Sequence, residues 1–464
     1  ALCSAPNMTA TAARGLSPPG SHSDGPAIAS RGLPGRGLKR AAADAPSSVC
    51  NRLFDRQIDA RAARTFEKQS MRQRFLRLRP RLTCDVYPAA GPSQDPEFAF
   101  IRRSSILEIV VGGGLIFGLA ESGLCSAFDM DTGRRVCVLN RSSREVIRSL
   151  FHNKLNGTLI IVAVTDADQY SSLRCRSCSL EDLAGGSARK STELFTSELL
   201  QSPGFVEFDD VNQKVLTFCA EARQYKVWSM AEPSKMLYHI TDSRIDEIKI
   251  SPGIMLLVLA KTHNYVPLKV ISIETGQMLR EFKQLVKRGE PIVVIEQFNQ
   301  KLLLKQDHSP LNIIDLLTSE LVSVQPDRFQ TPFAFIFLYD RQSFLAFRQQ
   351  EVMLWNLNGE RISHFQDHSL WFPAAAEDHT SVIFITENQD VIISLCESRR
   401  ASDRPRDQRS KIAIHVSHIA SGECLARVDW HAHNRSTVTA LSYNDTRGDL
   451  VVGDEHGRIH VWSN

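Results

Sequence analysis

Two cysteines three positions apart, in "CRSC" at 175–178, have the spacing of half a zinc site or of a redox pair. Zinc needs four ligands, and no second half-site stands at a usable distance along the chain. If the segment is a strand, Cys175 and Cys178 point to opposite faces, which argues against chelation of one ion. Other metal-binding side chains come late: His415, His418, His431, His433 and His456, with Cys424, Asp429 and Glu455 among them. Nothing sets a ligand spacing in that group, so no metal is expected. "VVGGGLIF" (110–117) lacks the Lys-Ser/Thr that completes a phosphate loop and reads as strand, turn, strand. Neither a G-x-S-x-G elbow nor an H-E-x-x-H helix occurs. The expectation is a non-catalytic protein with no cofactor, no metal and no small-molecule substrate.

Bulk properties agree with a large folded body. The chain has 464 residues, 42% hydrophobic and 23% charged, enough for one large repeat domain or two to three ordinary ones. Its ten cysteines are too thinly spread for a disulfide framework, which points to reduced thiols and an intracellular place, cytoplasm or nucleus. The most apolar stretch, "ILEIVVGGGLIFGLA" (106–120), is short, contains Glu108 and is broken by a run of three glycines, so no membrane span is expected. Charge is uneven. Residues 1–82 hold 15 Lys and Arg against 5 Asp and Glu, while the whole chain carries only +3. A basic front thus precedes a mildly acidic body.

Three zones follow. Residues 1–49 are rich in Ala, Gly, Pro and Ser and read as a disordered tail. The tail has weak transit-peptide character, and a start on Ala1 leaves room for residues upstream. Residues 50–82 read as a basic amphipathic helix. Phe54, Ile58, Ala62 and Phe66, then Met71, Phe75 and Leu78, mark one face, and Pro80 marks its stop. The polar side carries Arg64, Arg72, Arg74, Arg77 and Arg79. It either packs on the acidic body or meets an acidic protein or RNA. From residue 97 to 464 the texture is all-β, in short β-branched and aromatic runs separated by turn residues.

Those runs repeat. "CSAFDMDTG" (125–133), "KVISIETG" (269–276), "NIIDLLTS" (312–319), "MLWNLNGE" (353–360) and "HVSHIASG" (415–422) share one layout, an apolar strand, a polar residue and a tight turn. "YKVWSM" (225–230) and "IHVWSN" (459–464) give the strand alone. The aligned position falls on Phe128, Trp228, Ile271, Ile314, Trp355, Ser417 and Trp462, with gaps of 100, 43, 43, 41, 62 and 45. The gap of 100 fits two units, the hidden one near "SLRCRSCSLED" (172–182), and the gap of 62 fits one unit plus a charged insertion at 398–411. A four-stranded unit of about 40–45 residues is the period of a β-propeller blade.

The layout resembles the WD-repeat (WD40) family, whose third strand ends in V-W-D-x-x-T-G. The match is degenerate: Trp stands at the aligned position only at Trp228, Trp355 and Trp462, and Ser or Asn follows where the family prefers Asp. "RLFDRQI", "ISPGIMLLV" and "HVWSN" are also similar to a group of single-propeller WD-repeat proteins of green algae and plants. The resemblance implies one WD40-like propeller of eight blades, with seven the alternative, serving as a scaffold for protein–protein interactions within a larger complex. A substrate receptor of a cullin-RING ubiquitin ligase and an RNA-associated propeller are the alternatives. The first lacks its Trp-Asp-x-Arg signature here, and the second would use the arginine helix.

Two tryptophans at unit boundaries, Trp371 and Trp430, with His431, are candidate partner-binding residues, since Trp is enriched in binding hot spots. The last unit, "GDEHGRIHVWSN" (453–464), stops on its third strand. The expected remedy is pairing of 97–103 ("EFAFIRR") with 459–464, which would cover the open edge.

Overall fold

The computed structural model describes residues 60–88, 96–98, 100–195, 200–201, 206–219, 224–232, 235–348, 351–365, 370, 382–398, 411–430 and 436–464. The tail at 1–49 and most of the insertion at 398–411 lie outside them. The described residues form eight antiparallel sheets set in a ring, a single eight-bladed β-propeller. Blades 1 to 8 occupy residues 106–138, 145–201, 206–240, 245–285, 292–324, 334–364, 383–429 and 438–463. Within a blade the strands run outward in chain order, and first strands of neighbouring blades touch around the centre. Second strands such as Leu115–Ala120 and Ile254–Leu259 are buried at every position. A strand covered on both faces demands such an unbroken apolar run.

The aligned position has one structural meaning. Phe128, Trp228, Ile271, Ile314, Trp355, Ser417 and Trp462 all lie on third strands, opposite Ile116, Val215, Met255, Leu302, Phe344, Ile392 and Leu450 of the second. All are buried. The hidden unit is blade 2, whose third strand is Ser172–Ser179, with Cys178 at the equivalent place opposite Leu159. At this position the pairing with the fourth strand slips by one residue in blades 1, 3, 4, 6 and 7. Such a bulge raises local twist and splays the outer strand.

The ring closes differently from the sequence-based expectation. The fourth strand of blade 8 is β1 (Arg79–Asp85), which pairs antiparallel with Arg458–Ser463. Among the described residues of 97–103 there is no strand: a 3-10 turn occupies Pro96–Phe98, residues 100–103 are irregular, and Phe100 is 94% exposed. The alternation that binds a closing strand belongs to Leu82, Cys84 and Val86, which pack with Ile459 and Val461. Pro80 stands inside β1, not at a helix stop. It is tolerated because β1 is the outermost strand and slips register between Pro80 and Leu82. That slip falls opposite Trp462 and Val461, so the closing strand reproduces the bulge of an ordinary fourth strand.

The helix ends before the expected residue 82, and residues 50–59 lie outside the described ones. α1 spans Ala60–Leu76 and yields to β1 after two residues. Its buried side puts Met71 and Phe75, with Leu78 just beyond, into the apolar cluster between blades 7 and 8. Phe75 lies 5.3 Å from the ring of Tyr443. Lys68, midway along the helix, pairs with Glu423.

Blades 8 and 1 approach closely across the closure. A Cβ on Gly118 would stand 2.2 Å from Ile459, and one on Gly453 would stand 2.6 Å from Ile106. Tyr87, just past β1, is fixed by hydroxyl bonds to Ser104 and Ser122, and Arg135 of blade 1 donates to the carbonyls of Asp85 and Tyr87. The closure gives a clear expectation. Cys84→Asp places a charge in an apolar seam and lowers stability by about 3 kcal/mol or more, whereas Phe100→Ser changes it by less than about 0.5 kcal/mol. Thermal or urea unfolding of the two variants reads the difference, and equal effects would contradict the assignment of the closing strand.

Candidate functional site: the channel mouth and the arginine face

The side chains singled out from sequence fall in separate places. Cys175 and Cys178 sit on opposite faces of their strand, one packed towards blade 3 and the other towards blade 1. Burial pushes the Cys175 thiol up to about 12, so it is an inert core residue. Trp430 is not a surface anchor. It is fully buried in the seam of blades 7 and 8, its indole donates to the Ser436 carbonyl at 2.6 Å, and it meets His460 edge-on. A large ring after a fourth strand fills the wedge that opens between blades. Trp371 and His431 lie outside the described residues, as does the side chain of Arg64.

The remaining arginines divide by partner. Arg79 is turned back on the chain, donating to the carbonyls of Leu76 and Leu78. Arg74 lies along Tyr443 and Gly448. Arg72 and Arg77 are exposed, and among the described residues neither guanidinium has an ion pair or hydrogen bond. The apolar side of α1 is therefore spent on the body while these two cations face solvent.

A second cluster was missed from sequence because its members are far apart along the chain. The turns between first and second strands meet at one mouth of the central channel, each tied to its neighbour. Asn212 bonds the Ser251 carbonyl and the Gly253 amide, Ser251 bonds the Gln297 carbonyl, and Phe298 stacks on Tyr339 at 5.0 Å. Arg341 pairs with Asp390, and Asp445 accepts from the Glu387 amide. Among the described residues, two contacts cross the opening. Lys154 of blade 2 pairs with Glu387 of blade 7, and Tyr339 of blade 6 reaches Ser251 of blade 4.

This mouth is acidic on one side. Glu207, Lys249 and Glu296 stand at one level on the first strands of blades 3, 4 and 5, opposite Leu216, Leu256 and Leu303. Lys249 is shared by Glu296 at 3.0 Å and Glu247 at 2.6 Å. Glu207 is left with a more distant cation. Burial, then the charge of Asp209, push its carboxyl up to about 7, and burial pushes neighbouring Asp210 to about 6. Asp445 is also raised by burial. Such a wall can attract a cation or hold protons near neutral pH, but the crossing pairs narrow the way in.

Trp228 donates to Thr217 at 2.8 Å between third and second strands of blade 3. In blade 8 the carboxylate at the turn is Asp454. Burial alone would raise its carboxyl, yet bonds from His460 and from the amides of Arg458 and His456 hold it below the usual range.

Fold and site together define an eight-bladed propeller with an internally braced channel and a cationic helix on its flank. Residues 63–462 match the model of a family described as a domain of unknown function, DUF7899, and the chain belongs to that family. No curated protein matches the sequence. Among solved structures, the computationally designed Ika8 protein is similar at 17% identity, with a TM-score of 0.45, over 79% of this chain and 98% of its own. BamB from Moraxella catarrhalis is similar at 12% identity, with a TM-score of 0.39, over 83% of this chain and 98% of its own.

A carboxyl raised in the folded state binds protons that the unfolded chain has already released. Its contribution to stability is therefore full below the unfolded value and is lost as pH rises through about 7 for Glu207. Glu207→Gln should raise stability at pH 8 by about 1–2 kcal/mol, allowing for partial screening, and change it little at pH 4. Urea midpoints at the two pH values measure this.

Proposed function

We propose that this chain is a non-catalytic scaffold that holds other proteins, with the solvent face of α1 as its specific contact for an acidic partner. One observation carries the reading: Arg72, on a helix whose other side is locked into the ring, and Arg77, just past the end of that helix, are exposed and serve nothing in the body. Preset cations lose little side-chain and segment freedom on binding, which favours affinity and speeds encounter with an opposite charge. The braced channel mouth supports the same reading, because Lys154 and Tyr339 occupy the route a small substrate would take. An RNA-associated role would use the same arginines and differs in its salt dependence.

Affinity purification of the intact chain, compared with the double variant Arg72→Glu/Arg77→Glu, tests this. Partner recovery should fall about tenfold. Melting should be unchanged within about 1 °C, since neither side chain touches the body. Unchanged recovery would remove α1 from the proposal. Recovery abolished by nuclease, and falling steeply with salt, would assign the arginines to RNA.

A further inference from the structure

Two grooves between blades are already filled by helices of this chain. α1 lies in the groove of blades 7 and 8, where Met71 and Phe75 share a cluster with Leu425, Ala426 and Val428 of the fourth strand of blade 7. α2 (Leu180–Ala184), inserted after the third strand of blade 2, lies on the fourth strand of blade 1. Its Leu180 and Leu183 share a cluster with Val136 and Cys137. In both cases the covered residues include the extra residue of the fourth-strand bulge, Leu425 and Val136.

Among the described residues, blade 4 repeats this feature without a cover, as blades 3 and 6 do at Leu237 and Ile362, and it has the most exposed apolar neighbours. Its extra residue is Leu279, 52% exposed, beside Met278 at 60%. Blade 5 adds Leu317 at 47% and Leu321 at 59%. Arg280 clamps the two blades together, donating to the carbonyls of Leu316 and Leu317 and to Ser319. Farther along the same strand, Leu285 opens onto a groove of about 340 Å³ that Val286, Leu304 and Pro310 also line. An apolar stretch of this kind on a folded surface marks an interaction site more often than chance.

Charge says what fits. Glu423, which receives Lys68 of α1, stands immediately before the residue paired with the aligned position of blade 7. Glu320 stands at the same place in blade 5, immediately before Leu321, and is exposed. In blade 4 the same place is Gln277, so here the carboxylate comes from blade 5 and the bulge leucine from blade 4, whereas blade 7 offers both on one strand; a cation beside an apolar stripe is complementary to that pair of strands. Among the described residues α1 is already seated on blades 7 and 8, so it is not the segment that fits here.

We propose that the outer face of blades 4 and 5 docks an amphipathic helix of a partner protein, a Lys or Arg meeting Glu320 and an apolar stripe covering Leu279 and Leu321. This rests on the scaffold reading above only in treating the outer face as an interaction surface. The test uses purified full chain and a fluorescein-labelled synthetic peptide of residues 60–76 as the probe helix, read by anisotropy. The expected result is saturable binding that Leu279→Asp/Leu321→Asp weakens at least about tenfold. Glu320→Lys should weaken it several-fold and flatten its salt dependence, while Glu423→Lys leaves it unchanged. Absence of saturable binding overturns the proposal, as does dependence on Glu423 instead of Glu320, which would mean exchange into the groove of blade 7. Self-association lost in Leu279→Asp/Leu321→Asp by sedimentation would show a second copy as occupant, and a large fall in its melting temperature would show these leucines to be structural. None of these results depends on Arg72 or Arg77, so the two readings fail separately.

Discussion

Closure of the ring by β1 is the constraint on which the rest depends. Each blade buries its faces only against its neighbours, so one open seam would expose two apolar surfaces at once. β1 seals that seam without a covalent turn to blade 8. It succeeds because it copies the shape of an ordinary fourth strand, including the slip opposite Trp462, and because Cys84, Val86 and Tyr87 continue into the seam with blade 1. The glycines at 118 and 453 belong to the same arrangement, since any side chain there would hold blades 8 and 1 apart.

The channel mouth depends on that closed geometry in turn. Residues from blades 2 and 7, or 4 and 6, can meet only if all eight blades hold their angles. Carboxylates gathered on blades 3 to 5 are tolerated at a cost visible in the raised Glu207 and Asp210, and Lys249 offsets part of it. The ring is thus braced inside, with its less committed chemistry outside: cations on α1 and leucines on the outer strands of blades 4 and 5.

Much of the fold was legible in the sequence because the period and the register are local. The spacing of Trp228, Ile271 and Ile314 placed three third strands, and "CRSC" as a strand with divided cysteines holds in blade 2. Closure was not legible. "EFAFIRR" carries the denser apolar and aromatic run, and although "RPRLTCD" alternates, its Pro80 argues locally against a strand. What decides is the partner's shape, a bulge at Trp462 that accommodates proline on an edge. Trp430 was misread for a similar reason, since a boundary tryptophan looks exposed until the wedge between blades is seen to need filling. The channel cluster had no sequence signal, because Lys154 and Glu387 are neighbours only in the ring.

Only Arg77 and Leu78 separate the last residue of α1 from the first of β1. The helix and the closing strand therefore form one lever, hinged on two residues and pinned at both ends. A load that seats α1 more firmly against blades 7 and 8 also holds the clasp shut, and a load that lifts it pulls on the strand that completes the circle. In this protein, grip on the outside and integrity of the ring are mechanically the same quantity.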